Sequence, residues 1–252
     1  MESRTVIEDI RQFLETFCYK QEFAHSSILV TGATGFLGAS IIKYLLALDG
    51  TIGIIAPVRN QQKLSSSLRD ERVSVIECDL MTFDFSSLGH VDYVIHCAAP
   101  TNSKYFVTNP VETFTSIVNI SQHLLEYATR IKVKSFVYLS SLEVYGVIHD
   151  DMVPLVESKL GYLDVQDVRS SYPMAKRAVE NLCHLYSRQY GLNVSIARLT
   201  QVTGAGIATD DNRVIAQFAR LAYQGKDIIL HTEGIAARSY LYVSDAVSAI
   251  LT

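Results

Sequence analysis

The chain has 252 residues, of which 48% are hydrophobic and 19% are charged, and its formal net charge is −4. This length suits one large α/β domain, or one domain with a small second lobe, and the acidic balance without a basic run argues against a nucleic-acid partner. No apolar stretch reaches the ~20 residues that a membrane span needs, so we expect no membrane partner.

The first predicted element is a helix that precedes the rest of the fold. Apolar side chains recur at helical spacing within residues 4–20, at Val6, Ile7, Ile10, Phe13, Leu14 and Phe17. This period predicts an amphipathic helix in an N-terminal extension, residues 1–26. Two roles are open for it: packing on the flank of the following domain, or self-association into a homodimer.

A short apolar run then ends in a glycine-rich turn within residues 27–38, and an apolar helical pattern follows at once. This order predicts a strand, a tight turn and a helix. Such a turn presents backbone N–H groups at a helix start, where the helix dipole also favours negative charge. Gly32 allows a sharp exit from the strand, Gly35 allows close approach of a phosphate, and Gly38 allows the helix to pack closely on the strand.

The occupant that this turn predicts is the pyrophosphate of a dinucleotide. The residues expected to hold it are Gly32, Thr34, Gly35, Phe36, Leu37 and Gly38. The glycine spacing differs from G-x-G-x-x-G, and no Gly-Lys-Ser/Thr follows, so an ATP-binding loop is not expected. The alternative is a tight turn that binds nothing.

The second predicted strand, residues 51–58, bears on the choice of dinucleotide. In dinucleotide-binding folds an acidic residue at the end of this strand accepts hydrogen bonds from the adenosine ribose, but Arg59 stands there instead. A guanidinium binds a 2′-phosphate through paired N–H donors, which favours NADP over NAD. The alternative is that Arg59 is a solvated loop residue and that backbone groups hold the ribose.

Three further strands are predicted at residues 73–77, 91–98 and 134–141, and a long helix at 110–130 separates the last two. Strands and helices alternate at short intervals, which predicts right-handed βαβ units in a doubly wound parallel sheet. In such a sheet ligands bind at the carboxyl ends of the strands.

Candidate ligand-binding residues follow two of these strands. Asp79 and Leu80 follow the third strand, and Asp79 either accepts from the adenine amino group or caps the next turn. Ala98 and Ala99 follow the fourth strand, where small side chains permit close approach of a flat ligand. His96, inside that strand, is expected to be packed and hydrogen-bonded rather than catalytic.

Three residues carry candidate chemistry. Ser141 ends the fifth strand, and Tyr172 and Lys176 lie four residues apart, on one face of a predicted helix start. A free phenol has a pKa near ~10, and we expect the ammonium and the helix N-terminus to lower it. With Ser141 sharing the reacting oxygen, the set is suited to take a proton from an alcohol while hydride leaves for nicotinamide.

Six motifs occur in one order, at residues 31–38 (TGATGFLG), 96–101 (HCAAPT), 140–146 (SSLEVYG), 172–176 (YPMAK), 197–204 (ARLTQVTG) and 238–246 (RSYLYVSDA). The chain thereby resembles the extended short-chain dehydrogenase/reductase family, in its NAD(P)-dependent epimerase/dehydratase branch. The resemblance implies a Rossmann-like NAD(P)-binding domain at 27–200, with 201–252 forming part of a small substrate lobe interleaved with its last elements.

The resemblance also implies roles for individual residues. Ser141, Tyr172 and Lys176 are the catalytic set, and Lys176 also binds the nicotinamide ribose. Gln201 stands where the family usually has an asparagine near the sugar of a nucleotide-sugar substrate. Arg238 stands at the arginine that binds the substrate diphosphate, unless it forms only a surface ion pair.

Glu143 bears on the reaction type. In the sugar-nucleotide dehydratases of the family the Ser/Thr is followed by Asp and then Glu, whereas this chain has Leu142 and Glu143. The missing Asp argues against simple 4,6-dehydration, and the retained Glu resembles the uronate decarboxylases and some epimerases. Glu143 is a candidate to bind a sugar hydroxyl or move a proton; the alternative is that it faces solvent or braces a loop.

The first hypothesis is an enzyme: a nucleotide-sugar epimerase, decarboxylase or dehydratase that transiently oxidises the sugar at C4 and regenerates its cofactor. Two alternatives stay open. Family members usually continue well beyond residue 252, so we expect an incomplete substrate lobe. A net NADPH-dependent carbonyl reductase of the same family is the second hypothesis, favoured by Arg59. A non-catalytic dinucleotide-binding protein is the third, and the Tyr/Lys/Ser set argues against it.

Cysteine and histidine usage bears on compartment and metals. Cys18, Cys78, Cys97 and Cys183 are scattered, which favours reduced thiols in a cytoplasmic protein. Acidic residues near the N-terminus argue against a signal peptide. The histidines show no metal-ligand spacing, so we expect no metal.

Overall fold

The computed structural model describes residues 3–48, 50–149, 152–230, 233 and 237–252. The strands are β1 (Ser27–Thr31), β2 (Gly53–Val58), β3 (Val73–Glu77), β4 (Tyr93–His96), β5 (Ser135–Ser141), β6 (Val194–Leu199), β7 (Gln201–Thr203) and β8 (Tyr240–Tyr242). The helices are α1 (Arg4–Thr16), α2 (Phe36–Ala47), α3 (Ser103–Thr108), α4 (Pro110–Ile131), α5 (Ser171–Tyr190), α6 (Val214–Tyr223) and α7 (Val243–Leu251).

Within the described residues, β1 to β6 form one sheet in the order β3-β2-β1-β4-β5-β6, and every pairing is parallel. Ile28 of β1 lies opposite Ile54 of β2 on one side and Tyr93 of β4 on the other. The strand order reverses at β1, so a crevice opens between the carboxyl ends of β1 and β4. The predicted Rossmann-like, doubly wound parallel sheet is thereby confirmed.

The core forms two layers because neighbouring residues of a strand point to opposite faces. Ile28 and Val30 pack into a cluster with α1, α2 and α7, whereas Leu29 packs into a second cluster with α4 and α5. Both faces of the sheet are covered, which explains why its central strands are continuously apolar.

The central strands are shorter than their apolar runs predict. The fourth strand was expected at 91–98, but β4 covers only Tyr93–His96. Its neighbour β1 pairs with it from Ile28 to Thr31 and then turns away at Gly32. β4 thus ends where β1 turns away, although the apolar sequence continues.

The predicted N-terminal helix is α1, and it packs on the flank of the domain. Val6 and Phe13 are buried, and the Phe13 ring meets Tyr44 of α2 edge-on, with centroids 5.0 Å apart. The hydroxyl of Tyr242, the last residue of β8, donates to Asp9 at 2.8 Å. Ile7 is 49% exposed. Self-association through this helix stays a prediction.

The two helices on the other face have clear end signals. Pro110 occupies the first turn of α4, where its missing N–H costs nothing, and Gly191 ends α5 in the left-handed conformation. The helix α4, whose 22 residues would be long enough to span a membrane, is amphipathic rather than apolar on all sides. In the described part of the chain no helix is long and apolar enough to cross a membrane.

Candidate active site

The glycine turn connects β1 to α2 at the crevice. Gly32 has φ +75°, and a Cβ there would lie 3.0 Å from the backbone of Ala98. A Cβ at Gly38 would come within 3.0 Å of the Gly32 carbonyl, so α2 approaches the turn as closely as its backbone permits. Gly35 is the N-cap of α2, and no side chain caps its N–H groups. These groups fit a pyrophosphate, because the first N–H groups of a helix have no intrahelical acceptor.

The other predicted residues of this turn lie at its tip and on the first turn of α2. Thr34 is exposed, while Phe36 and Leu37 are half-buried. The Arg213 guanidinium carbon lies 5.9 Å from the Phe36 ring centroid, on the side of β7 and α6. The turn is therefore open at Thr34 and bordered by the segment that follows β6.

Beside the crevice, a series of hydrogen bonds connects Ala98, Thr31, His96 and Ser121, and all of them donate in the same direction. The Ala98 N–H donates to Thr31 Oγ1 at 3.1 Å, and Thr31 Oγ1 lies 2.7 Å from His96 Nδ1. Ser121 donates its hydroxyl to the Ile117 carbonyl, so it accepts from His96 Nε2 at 3.0 Å. Burial lowers the pKa of His96 to about 3. His96 is a neutral, packed residue, as the sequence predicted.

The edge of the sheet near β2 carries both signs of charge. Arg59 directly follows β2 and is exposed. Glu77 ends β3 opposite Val58, and its carboxylate accepts the Gln61 N–H at 3.0 Å. Glu77 was not among the predicted site residues, because only the pairing of β3 with β2 brings it to this edge.

The residues after β3 and β4 line the same end of the sheet. Asp79 Oδ1 accepts the Met81 N–H at 2.9 Å, so one carboxylate oxygen caps the turn. Leu80 is buried, and Ala98 and Ala99 are half-buried at the end of β4. Asp79 therefore caps the turn, and its contact with the adenine amino group stays a prediction.

Ser141 and Tyr172 come together at the carboxyl end of β5. Ser141 ends β5, and Tyr172 lies in the first turn of α5, with 7% of its surface exposed. Burial raises the pKa of Tyr172 to about 12, although the nearby Ser141 hydroxyl lowers it in part. The sequence predicted a lowered pKa for this phenol, and that prediction is wrong for this structure.

The position of Lys176 contributes to this difference. Its Nζ donates to the Leu139 carbonyl at 2.8 Å and lies 4.7 Å from the Tyr138 ring centroid and 5.8 Å from that of Tyr172. Burial lowers the pKa of Lys176 to about 8. The ammonium is thus held by the backbone of β5, and the burial of Tyr172 outweighs the charges around it.

Glu143 has an ionic partner that the sequence reasoning did not find. Arg169 Nη2 lies 3.0 Å from Glu143 Oε1 and 2.8 Å from Oε2, with the side chains 35% and 33% exposed. The Arg169 guanidinium carbon also lies 4.9 Å from the centroid of Phe106, which stacks on Tyr172. Glu143 therefore stands in the wall beside Tyr172. The available signal was the position of Arg169, one turn before Tyr172.

A buried ionic group behind the site was also missed. Glu180 is 4% exposed and receives the Ser140 hydroxyl at 2.6 Å. Arg198 donates to both of its carboxylate oxygens, at 2.7 to 3.2 Å. This group joins β5, α5 and β6 directly behind Ser141 and Lys176.

The two predicted substrate residues lie on a separate pair of strands. Gln201 begins β7 and stands opposite Tyr240 of β8. Arg238 precedes β8, is exposed, and donates Nη1 to the Ala237 carbonyl at 2.7 Å. The structure thus places Gln201 and Arg238 close in register at one end of the β7–β8 pair.

Known proteins resemble this chain over most of its length. UDP-glucuronic acid decarboxylase 6 of Arabidopsis thaliana is 31% identical over 228 residues, which cover 89% of this chain and 64% of the relative. This chain therefore spans just under two thirds of that relative's length.

Solved structures share the fold. The UDP-N-acetylglucosamine 4-epimerase from Methanobrevibacter ruminantium M1, in complex with UDP-N-acetylmuramic acid, superposes with a TM-score of 0.79 at 25% identity, over 90% of this chain and 72% of that one. The UDP-glucuronic acid 4-epimerase from Bacillus cereus, in complex with NAD, gives 0.72 at 25% identity, over 88% and 71%. The model of the NAD dependent epimerase/dehydratase family matches residues 28–252. Because this match includes the glycine turn and Tyr172, the chain belongs to the NAD dependent epimerase/dehydratase family.

Proposed function

We propose that this protein transiently oxidises a hydroxyl of a nucleotide sugar and regenerates its nicotinamide dinucleotide within the same cycle. The observation that carries the proposal is the position of Ser141, the last residue of β5, beside Tyr172 in the first turn of α5, at the carboxyl edge of the sheet that also carries the glycine turn. The decarboxylase and epimerase relatives support a nucleotide sugar as the substrate class.

The residues of the chain have distinct roles in this proposal. Tyr172 takes the proton of the sugar hydroxyl and later returns one, while Ser141 hydrogen-bonds the same oxygen. A nicotinamide dinucleotide held at this site would supply the acceptor and donor of the hydride. Lys176 has three N–H donors, of which the Leu139 carbonyl takes one, which supports its role as a ligand of the nicotinamide ribose. The backbone of Gly32, Thr34, Gly35, Phe36, Leu37 and Gly38 holds the pyrophosphate, and Asp79, Leu80, Ala98 and Ala99 border the bases.

The reaction type that the site supports best is decarboxylation or epimerisation. Leu142 supplies no acid before Glu143, which argues against water elimination. Glu143, in the wall beside Tyr172, is the candidate to bind the sugar or move a proton there. Gln201 and Arg238 are proposed to contact the sugar and its diphosphate, and residues 201–252 to form part of the substrate lobe.

The preference between NAD and NADP is proposed to depend on two opposed charges. Arg59 favours the 2′-phosphate of NADP, and the Glu77 carboxylate, which the adjacent strand brings to the same edge, disfavours it. The solved relative that contains NAD supports NAD at this site.

The test is conversion of defined nucleotide sugars. The protein is incubated with NAD or NADP and with UDP-glucuronic acid, UDP-glucose, UDP-N-acetylglucosamine or dTDP-glucose, and products are identified by mass spectrometry. We expect a converted sugar without net change in reduced dinucleotide. Stoichiometric consumption of NADPH with a carbonyl compound would instead establish the reductase, and dinucleotide binding without conversion of any sugar or carbonyl would contradict the proposal.

A further inference from the structure

The ion pair between Arg169 and Glu143 differs from an ordinary surface contact in its setting. Arg169 lies in the short 3₁₀ helix Val168–Ser170, where Asp167 Oδ1 accepts the Arg169 N–H at 2.8 Å. This cap fixes the backbone directly before α5. The guanidinium therefore leaves from a rigid point and lies over Phe106, the ring that stacks on Tyr172.

The guanidinium has unused donors. Among the described residues, its side-chain hydrogen bonds to Glu143 run through Nη2, which leaves Nε and Nη1 for another acceptor. Both partners are about one third exposed, at 35% and 33%. Ion pairs of this exposure contribute little to stability, so a ligand that carries its own carboxylate can replace Glu143 at small cost.

We propose that Arg169 selects a sugar that carries a carboxylate, by exchanging the Glu143 carboxylate for that of the substrate. This inference rests on the proposed oxidation of a nucleotide sugar at Tyr172. In the structure Arg169 Nη2 already contacts both oxygens of the Glu143 carboxylate, which identifies a carboxylate as the group that this guanidinium accepts. A planar carboxylate matches the paired donors of a guanidinium, whereas a lysine ammonium would offer only a point charge.

The position of the Arg169–Glu143 ion pair indicates that the incoming carboxylate belongs to the sugar of the substrate. The Arg169 guanidinium lies over Phe106, whose ring stacks on Tyr172, so an acid bound there lies near the carbon that Tyr172 helps to oxidise. The exchange also leaves the Glu143 carboxylate without its cation, next to Ser141 and Tyr172, where it is available to the sugar. Binding of an acidic sugar and separation of Glu143 from Arg169 then occur in the same step.

The test compares Arg169→Gln, which is expected to weaken binding of UDP-glucuronic acid, with Glu143→Gln, which is expected to tighten it. Arg169→Gln is expected to weaken binding of UDP-glucuronic acid about tenfold to a hundredfold, with binding of UDP-glucose and of UDP alone unchanged, by isothermal titration calorimetry. Arg169→Lys is expected to fall between wild type and Arg169→Gln. Arg72→Gln, which removes a comparably exposed arginine paired with Asp70, is the matched control and is expected to change none of these affinities.

Glu143→Gln removes the internal competitor, so it is expected to tighten binding of UDP-glucuronic acid while conversion falls. A purely structural pair would weaken binding in both variants, which would overturn the proposal. Equal loss of UDP binding in Arg169→Gln would assign the arginine to the diphosphate and also overturn it. Because the readout is binding, failure of the wild type to convert any sugar would refute the proposed function while leaving the selectivity of Arg169 measurable.

Discussion

The ring of Phe106 lies almost parallel to the ring of Tyr172, with centroids 4.3 Å apart and planes 6° from parallel. Phe106 is 2% exposed and comes from α3, on the segment that follows the fourth strand. The orientation of Tyr172 is thus held by a ring contact and does not depend on its hydroxyl. This separation of ring and hydroxyl makes the proposed proton transfer testable without loss of the fold.

Tyr172→Phe is expected to keep the stack on Phe106 and to remove only the proton-transferring group. Turnover should fall by about 10² to 10⁴, the usual contribution of a general acid or base. The melting temperature and the affinity for the dinucleotide should stay close to wild type. Steady-state kinetics and thermal shift measure both, and unchanged turnover would remove Tyr172 from the mechanism.

The two charges at the β2–β3 edge predict opposite changes in cofactor preference. Arg59→Ala should weaken NADP more than NAD, and Glu77→Gln should strengthen NADP relative to NAD while keeping an acceptor for the Gln61 N–H. Each shift should be a few-fold to roughly tenfold, as for one charge near solvent. Fluorescence titration with both dinucleotides measures the ratio, and Arg4→Ala on α1 is the control. Equal effects on NAD and NADP would show that neither charge reads the 2′-phosphate.

Gly38→Ala is expected to disturb the glycine turn. The added Cβ would come within 3.0 Å of the Gly32 carbonyl, so α2 must move away, at a cost of about 1–3 kcal/mol of unfolding free energy. The thermal shift produced by a dinucleotide should also shrink, because the N–H groups of the first turn move. Gly89→Ala is the matched control, since a Cβ there meets nothing within 4 Å. A Gly38→Ala protein with normal stability and binding would contradict this close packing.

The buried ammonium of Lys176 predicts a pH dependence of stability. Its pKa is about 8 in the folded protein and 10.5 as a free side chain. Between these values the unfolded chain binds more protons, so this group makes the free energy of unfolding rise with pH from about 8 to about 10.5. Below that window Lys176 is protonated in both states, and the cost of burying its ammonium lowers the free energy of unfolding in full.

Lys176→Met should remove this cost, which the pKa shift puts at about 3 kcal/mol at most at neutral pH, less the lost bond to Leu139. We expect a more stable but inactive protein. Urea unfolding of wild type and variant across the pH window isolates Lys176, because the buried tyrosines titrate in both. A constant stability difference across the window would refute the assignment.

The Glu180–Arg198 pair is expected to matter far more for stability than an exposed pair. Glu180→Ala should cost about 3–5 kcal/mol, since it leaves a guanidinium unpaired among buried groups. Asp70→Ala, which breaks a pair with both side chains 30% exposed, should cost no more than about 1 kcal/mol. Chemical unfolding measures both, and similar losses would show that the burial of Glu180 is not what matters.

Much of the fold was predictable from the sequence because its signals are local. The glycine spacing of the first turn, the apolar runs of the strands and the helical period of α1 each depend on residues a few positions apart. They predicted the parallel sheet and the crevice at β1. They overestimated β4, because the length of a strand depends on the partner beside it, and β1 ends at Thr31.

The types of residue in the candidate site were predictable from the sequence, but their burial and pKa values were less so. Tyr172 and Lys176 share a helix face because they are four residues apart, and Ser141 lies near them because α5 begins at the carboxyl end of β5. The predicted direction of the Tyr172 pKa shift was wrong, because the shift depends on burial of the phenol by α3 and β5 together.

The sequence by itself determined the order of elements, the glycine turn and the Tyr/Lys/Ser set, since backbone sterics and side-chain period act between near neighbours. Only the tertiary structure decided which charges meet: Glu143 with Arg169, 26 residues apart, and the Gln61 N–H with Glu77, 16 residues apart. Such contacts, and the burial that shifts a pKa, arise when distant elements pack together, and no local pattern encodes them.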